Sequence, residues 1–184
     1  MGGLLREVRR TLTVMEPITV RRMGSNDWRL WRELRLAALA DAPEAFASTL
    51  ARELAFDEEA WRDRMRGPGV NVMAFADQQA VGIAATFVPD STAVPELVSM
   101  WVRPEWRGRH VGAGLVDKVL GWACQGGYAE VRLFVMDGNS AALRLYENTG
   151  FVLTGETQVL QTEGRPVELR MVHRLLRGEV SPLR

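Results

Sequence analysis

A chain of 184 residues fits one domain, and 47% hydrophobic with 25% charged residues is ordinary globular usage. The 23 basic and 23 acidic residues cancel, so no bulk charge draws the chain to nucleic acid or to an anionic membrane surface. One cysteine, Cys124, excludes an internal disulfide and a thiolate metal cluster, the two histidines, His110 and His173, lack metal-ligand spacing, and no apolar run reaches the ~18–20 residues of a membrane span.

Met1 to Arg10 lacks a signal-peptide core, and residues 1–15 read as a mobile lead-in, with Met15 as an alternative start. A single domain is expected over 16–176, with 177–184 as a tail. Ile18, Val20 and Arg22 alternate with Thr19 and Arg21, the period of a strand. Ser25-Asn26-Asp27 supplies cap residues for a helix from Trp28 to Ala40, whose Leu30, Trp31, Leu34, Ala37 and Ala38 recur at helical spacing. Asp41-Ala42-Pro43 breaks that helix, and 44–56 is ambiguous. Asp57-Glu58-Glu59 places negative charge where the dipole of a second helix favours it; the helix runs to Met65 and Gly67-Pro68-Gly69 ends it.

Three strands are expected next, over Val72–Ala76, Ala80–Phe87 and Leu97–Val102, the first two joined by a hairpin turn at Asp77-Gln78-Gln79. The third is nearly all apolar, which predicts a central strand buried on both faces. A helix from Gly112 to Gln125 follows, with Gly126-Gly127 as its stop. Then come a strand at Val131–Val135, a helix at Ala141–Asn148 capped by Asn139 or Ser140, and closing strands at Phe151–Thr157 and Pro166–Val172 around a turn at Glu163-Gly164. This order implies an α/β sandwich on a mixed, largely antiparallel sheet of about seven strands with about four helices.

The chemistry concentrates in Leu97 to Gly114, where a strand feeds an Arg- and Gly-rich turn into a helix start. The first N–H groups of a helix have no internal partner and the dipole adds positive potential, so such a turn suits an anion. Arg107 and Arg109 add fork-shaped donors. Neither a Walker P-loop nor a Rossmann glycine pattern is present.

Val102-Arg103-Pro104-Glu105-Trp106-Arg107-Gly108-Arg109-His110-Val111-Gly112 resembles the acetyl-CoA signature V-x-P-x-x-[RQ]-x-x-G-x-[GA] of the GNAT superfamily of N-acetyltransferases. His110 stands where that family usually has glycine; a second register, Arg109 to Gly114, matches the last part of the signature literally, but the distance from Val102 and Pro104 favours the first. Asn139 to Phe151 is similar to the family's N-x-x-A-x-x-[LF]-Y-x-x-x-G-F segment. The resemblance implies a GNAT-like fold and transfer of acetyl from acetyl-CoA to a primary amine within a ternary complex. It implies that Met100, Trp101 and Val102 offer backbone groups to the pantetheine and the thioester. It also implies that Arg107, Gly108, Arg109, His110, Val111 and Gly112 hold the pyrophosphate, and that Asn139 contacts the pantetheine arm. Glu96 is the candidate base for the amine, against a plain strand-end carboxylate; Tyr146 is the candidate acid for the leaving thiolate, against a packing aromatic.

The acceptor is implied only as a class: a small-molecule amine, a peptide or protein N-terminus, or a lysine. The family builds that pocket from elements equivalent to residues 28–56 and 158–166, and the acids Asp41, Glu44, Glu53, Asp57, Glu58 and Glu59 near it would suit a cation or simply form a solvated face. No metal, nucleic acid or membrane is expected; a homodimer is left open and the cytoplasm is the default compartment. A non-catalytic acyl-CoA-binding or phosphate-sensing module would carry the same motifs. Trp28, Trp31 and Trp61 read as packing, Cys124 as a buried inert thiol and His173 as structural, while the roles of His110 and Trp106 stay open.

Overall fold

The computed structural model describes residues 17–159 and 167–175. The expectations for 1–15, for the Glu163-Gly164 turn, for Pro166 and for the tail 177–184 lie outside the described residues.

Seven strands form one sheet: β1 Ile18–Met23, β2 Asn71–Ala76, β3 Gln79–Phe87, β4 Glu96–Val102, β5 Glu130–Met136, β6 Val152–Val159 and β7 Val167–Arg174, in the spatial order β1-β2-β3-β4-β5-β7-β6. Every neighbouring pair is antiparallel except β4 with β5. The helices are α1 Trp28–Asp41, α2 Leu50–Leu54, α3 Glu58–Arg64, α4 Val111–Gln125 and α5 Ser140–Asn148. The mixed sheet and the element order match the sequence reading. The fifth helix, α2, falls in the stretch whose period was ambiguous; Thr49 caps it by accepting from the Arg52 N–H.

Alternation along the strands divides the core in two. On β2, Val72, Ala74 and Ala76 join a layer with α4 and α5, while Met73 and Phe75 join a layer with α1 and α3. The first layer is filled by Leu115, Val116, Val119 and Ala123 of α4, the second by Trp31, Leu34 and Ala38 of α1 with Trp61 of α3. Each buried leucine or valine among them contributes about 1.5–3 kcal/mol by leaving water. The result is helix, sheet, helix.

Three local expectations change. Ser25–Asp27 forms its own 3-10 turn, in which Asp27 accepts from the Gly24 N–H at 2.8 Å and does not cap α1. Cys124 is exposed, not buried: Ala123 ends the apolar stripe of α4, and the next residue turns toward solvent. β4 is not buried on both faces. Only Leu97 and Trp101 are buried, and Val98 is 38% exposed. The cause is twofold. β4 and β5 pair only at Glu96↔Arg132 and Leu97↔Leu133, then part. Between Val98 and Trp101, β4 also carries one residue more than β3, a bulge with Ser99 at φ 56°.

Candidate functional site

The turn after β4 is shaped by two left-handed residues. Pro104–Trp106 makes a 3-10 turn, then Gly108 (φ 73°) and His110 (φ 60°) redirect the chain into α4. Histidine in this conformation is strained where glycine would not be. The backbone N–H groups from Gly108 to Ala113 donate to no acceptor among the described residues; the first that does is Gly114, to the His110 carbonyl at 3.0 Å. A consecutive set of free N–H groups at the start of a fifteen-residue helix is a cradle for a group rich in oxygen acceptors. Gly112 packs closely here: a Cβ would lie 3.0 Å from Leu145 Cδ2 of α5 and would push that side chain aside.

The two arginines of this turn act differently. Arg107 is tied inward: its Nε donates to the Val102 carbonyl at 3.0 Å and its Nη2 to Asp41. Asp41 also accepts from Trp101 Nε1 at 2.9 Å. The Trp101 hydrogen bond and then Arg107 hold the Asp41 carboxyl below its ordinary value. Arg107 thus braces the turn against the end of α1. Arg109 stacks on the Trp106 ring, 4.9 Å from its centroid.

Where β4 and β5 part, a cleft of about 690 Å³ opens. On the α5 side it is lined by Met100, Phe134, Asn139, Leu145 and Tyr146; on the α1 side by Trp31, Arg35, Phe46 and Arg64, with Glu96 and Ser99 of β4 between. The turn from Arg107 to Gly112 is not part of this lining; it adjoins the cleft through Gly112 against Leu145. Trp101 turns its side chain away, into the α1 layer, while Met100 and Val102 pack toward α4. Asn139, which lines the cleft, caps α5 with Oδ1 accepting from the Ala142 N–H at 3.1 Å. Tyr146 is 7% exposed and packs edge-on to Phe151; burial raises its phenol above the ordinary value of 10, so it stays protonated. Glu96 has no ion-pair partner among the described residues. His173 is structural: its ring leans on Phe151 and Nδ1 donates to the Thr149 carbonyl at 3.1 Å.

The α1 wall of the cleft departs from the acidic face that the sequence offered. Asp57 caps α3, Glu58 and Glu59 pair with arginines, and Asp41 is taken by Trp101 and Arg107. None of the six acids lines the cleft. Glu53 is fully buried and gripped in two places by Arg35, Nε to Oε2 at 3.0 Å and Nη2 to Oε1 at 2.8 Å, with Arg64 at 3.4 Å. Burial raises the Glu53 carboxyl, but the hydrogen bonds and charge of Arg35, then Arg64, outweigh it and hold it below 4.5. Arg35 and the Ser99 bulge were not foreseen. The signal for Arg35 is its place: a charged residue on the apolar stripe Trp31, Leu34, Ala38.

Residues 31–151 match the acetyltransferase (GNAT) family. A mycothiol acetyltransferase of Nocardiopsis dassonvillei is 31% identical over 134 residues, covering 69% of this chain and 40% of that protein. Another, from Streptomyces scabiei, is 30% identical over 166 residues, covering 85% of this chain and 52% of that protein. The chain thus spans about half or less of the length of these relatives. A GNAT-family acetyltransferase structure from Streptococcus pneumoniae superposes with a TM-score of 0.70 at 18% identity, over 87% of this chain and 100% of the other. The family match runs from inside α1 to the threshold of β6 and takes in both motif segments with the cleft between them, so the chain belongs to the acetyltransferase (GNAT) family.

Proposed function

We propose that this chain transfers acetyl from acetyl-CoA to a primary amine by direct attack in a ternary complex. The observation that carries the reading is the opening between β4 and β5, which meets a Tyr- and Asn-lined wall on one side and a separate wall on the other. Bound acetyl-CoA supplies an acyl carbon activated as a thioester. The free N–H groups from Gly108 to Ala113 fit its pyrophosphate, with Arg109 beside them and Arg107 bracing the turn. Strand groups of Met100, Trp101 and Val102 left by the parting of β5 face the pantetheine, and one N–H there steadies the oxyanion. The Asn139 amide holds the arm.

Glu96 takes the proton of the amine, directly or through water; an alkyl amine near pKa 10.4 is mostly protonated at neutral pH and cannot attack until it loses one. A phenol above 10 is a weaker acid than a thiol near 8.5. Tyr146 therefore serves the sulfur first as a hydrogen-bond donor; as the C–S bond breaks, its proton passes to the sulfur, and the proton that Glu96 took from the amine returns through solvent to restore the phenol, so that amide and thiol are the only products. The working compartment we propose is the cytoplasm, where an exposed single thiol such as Cys124 stays reduced. No helix among the described residues is long and apolar enough to cross a membrane.

The test is thermal stability with saturating acetyl-CoA, with ATP as control. A ligand at ~100 times its Kd stabilises by ~2.7 kcal/mol, which for this size is on the order of 5–10 °C in Tm. Acetyl-CoA should give that shift and ATP little. No shift at millimolar acyl-CoA sinks the proposal. Release of CoA with an amine panel then separates an enzyme from a binding module, and Glu96→Gln should lower kcat most at low pH, where the base is most needed.

A further inference from the structure

We infer that the acceptor is a monoamine on an apolar body, which lies on Phe87 and Val98 where they flank Glu96 in the cleft; the inference rests on the acetyl-transfer reading above, with Glu96 as its base.

The register of the sheet brings these side chains together. Phe87 of β3 stands opposite Glu96 of β4, and Ala85 stands opposite Val98, in antiparallel pairing. Opposed residues share a face, and so do residues two apart on one strand. Ala85, Phe87, Glu96 and Val98 therefore form one quartet. Ala85 belongs to the core layer of Trp31 and Trp61, which puts the quartet on the α1 side of the sheet. Glu96 has Phe87 beside it across the strands, where opposed Cβ atoms lie about 4.5–5.5 Å apart, and Val98 beside it along its own strand. All four residues line the cleft. Phe87 is 57% exposed and Val98 38%, so both keep apolar surface open there. Open apolar surface in a concave site, next to the group that takes the proton, is what an apolar ligand covers.

The charges of the cleft disfavour a second cation on the acceptor. Among the described residues, Glu96 and Glu168 are the only carboxylates of the lining, and Glu168 accepts from Gln158 at 2.7 Å. Three arginines line it as well: Arg35 and Arg64 against Glu53, and Arg66 against Glu59 and Asp63. A polyamine would bring its second ammonium to a lining richer in cations than in carboxylates, with no unengaged acid besides Glu96 to meet it. Arg132, which pairs with Glu96 in register on β5, donates from Nε to Glu130 at 2.6 Å, so Glu96 is left to the amine. The acceptor thus sets its one ammonium at Glu96 and its carbon chain on Phe87 and Val98.

The test is acetyl-CoA-dependent CoA release by the full chain with the series n-propylamine to n-hexylamine, and with ethanolamine and spermidine. Each added methylene should raise kcat/KM about fourfold, the worth of one CH2 leaving water. Ethanolamine, which puts a hydroxyl where propylamine has a methyl, should fall about tenfold below propylamine. Spermidine should fall at least about tenfold below hexylamine. Phe87→Ser should cut the gain per methylene to about twofold or less, through KM, while Phe87→Leu keeps it, both with the acetyl-CoA thermal shift retained. Should Phe87→Ser not fold, Val98→Thr, which keeps the shape of the side chain, should lower the hexylamine-to-propylamine ratio several-fold. A flat series, ethanolamine or spermidine turned over as well as hexylamine, or a chain-length gain untouched by these variants overturns the apolar acceptor while acetyl transfer stands. An acetyl-CoA shift with no release from any of these amines overturns it too and leaves the cofactor site standing. No shift and no release overturn both readings.

Discussion

On the α4 side of the sheet, Leu115, Val116, Val119, Val131 and Leu133 interlock as aliphatic side chains, and among the described residues no buried side-chain donor without a partner belongs to that layer. On the α1 side, Trp31, Trp61, Met65, Met73 and Trp101 fill the equivalent space with rings and thioethers, next to a buried ion pair. The first layer holds a turn and a strand end whose shape is set by backbone. The second places polar side chains where their fit depends on each other. The comparison teaches that one wall can serve one unvarying ligand through main-chain groups, while the other is tuned by individual side chains.

Breaking the ion pair is the sharpest way to separate the two layers. Glu53→Ala strands the Arg35 charge in the interior and should cost about 3–5 kcal/mol of stability in urea unfolding. The acetyl-CoA shift in Tm should survive wherever the variant is folded; a loss under ~1 kcal/mol would show the pair to be dispensable. Next in size, Tyr146→Phe should keep acetyl-CoA binding and lower kcat about 10- to 100-fold, the worth of one hydrogen bond to a charged sulfur. Unchanged kcat removes Tyr146 from the chemistry. The pH dependence should follow Glu53 as well. Its carboxyl is held below 4.5 in the folded chain, so its contribution is complete above that pH and is lost as pH falls below it. Glu53→Gln should flatten that limb of the stability curve. The smallest effect belongs to the other layer: His110→Gly relieves a left-handed histidine at the price of a freer unfolded chain, and should gain about 0.5–1 kcal/mol.

The same contrast explains what could be read from the sequence. The turn at Arg107 to Gly112 and the cap at Asn139 are local: strand, turn and helix signals lie within a few residues, and the backbone sets their shape. Tyr146 reaches the cleft because the spacing from Asn139 to Gly150 fixes its turn of α5. The α1 wall of the cleft is not local. Arg35 meets Glu53 eighteen positions away, and Arg64 joins from a third helix. A one-dimensional reading sees the acids of 41–59 and cannot see which arginines consume them. The exposure of Val98 was also hidden, because an apolar run looks the same whether its neighbour stays beside it or departs.

The seam between β4 and β5 has a consequence for how the molecule opens. With only two rungs joining them, the sheet is two leaves on a short spine, β1 to β4 on one and β5 to β7 on the other. Solvent should reach the amides around the Ser99 bulge sooner than those of β2 and β3, which are laddered on both sides. In the proposed binding mode, a pantetheine along that gap would supply the rungs that β5 withholds. Hydrogen exchange at β4 should then slow together with that at the facing residues of β5, and the two leaves should melt as one.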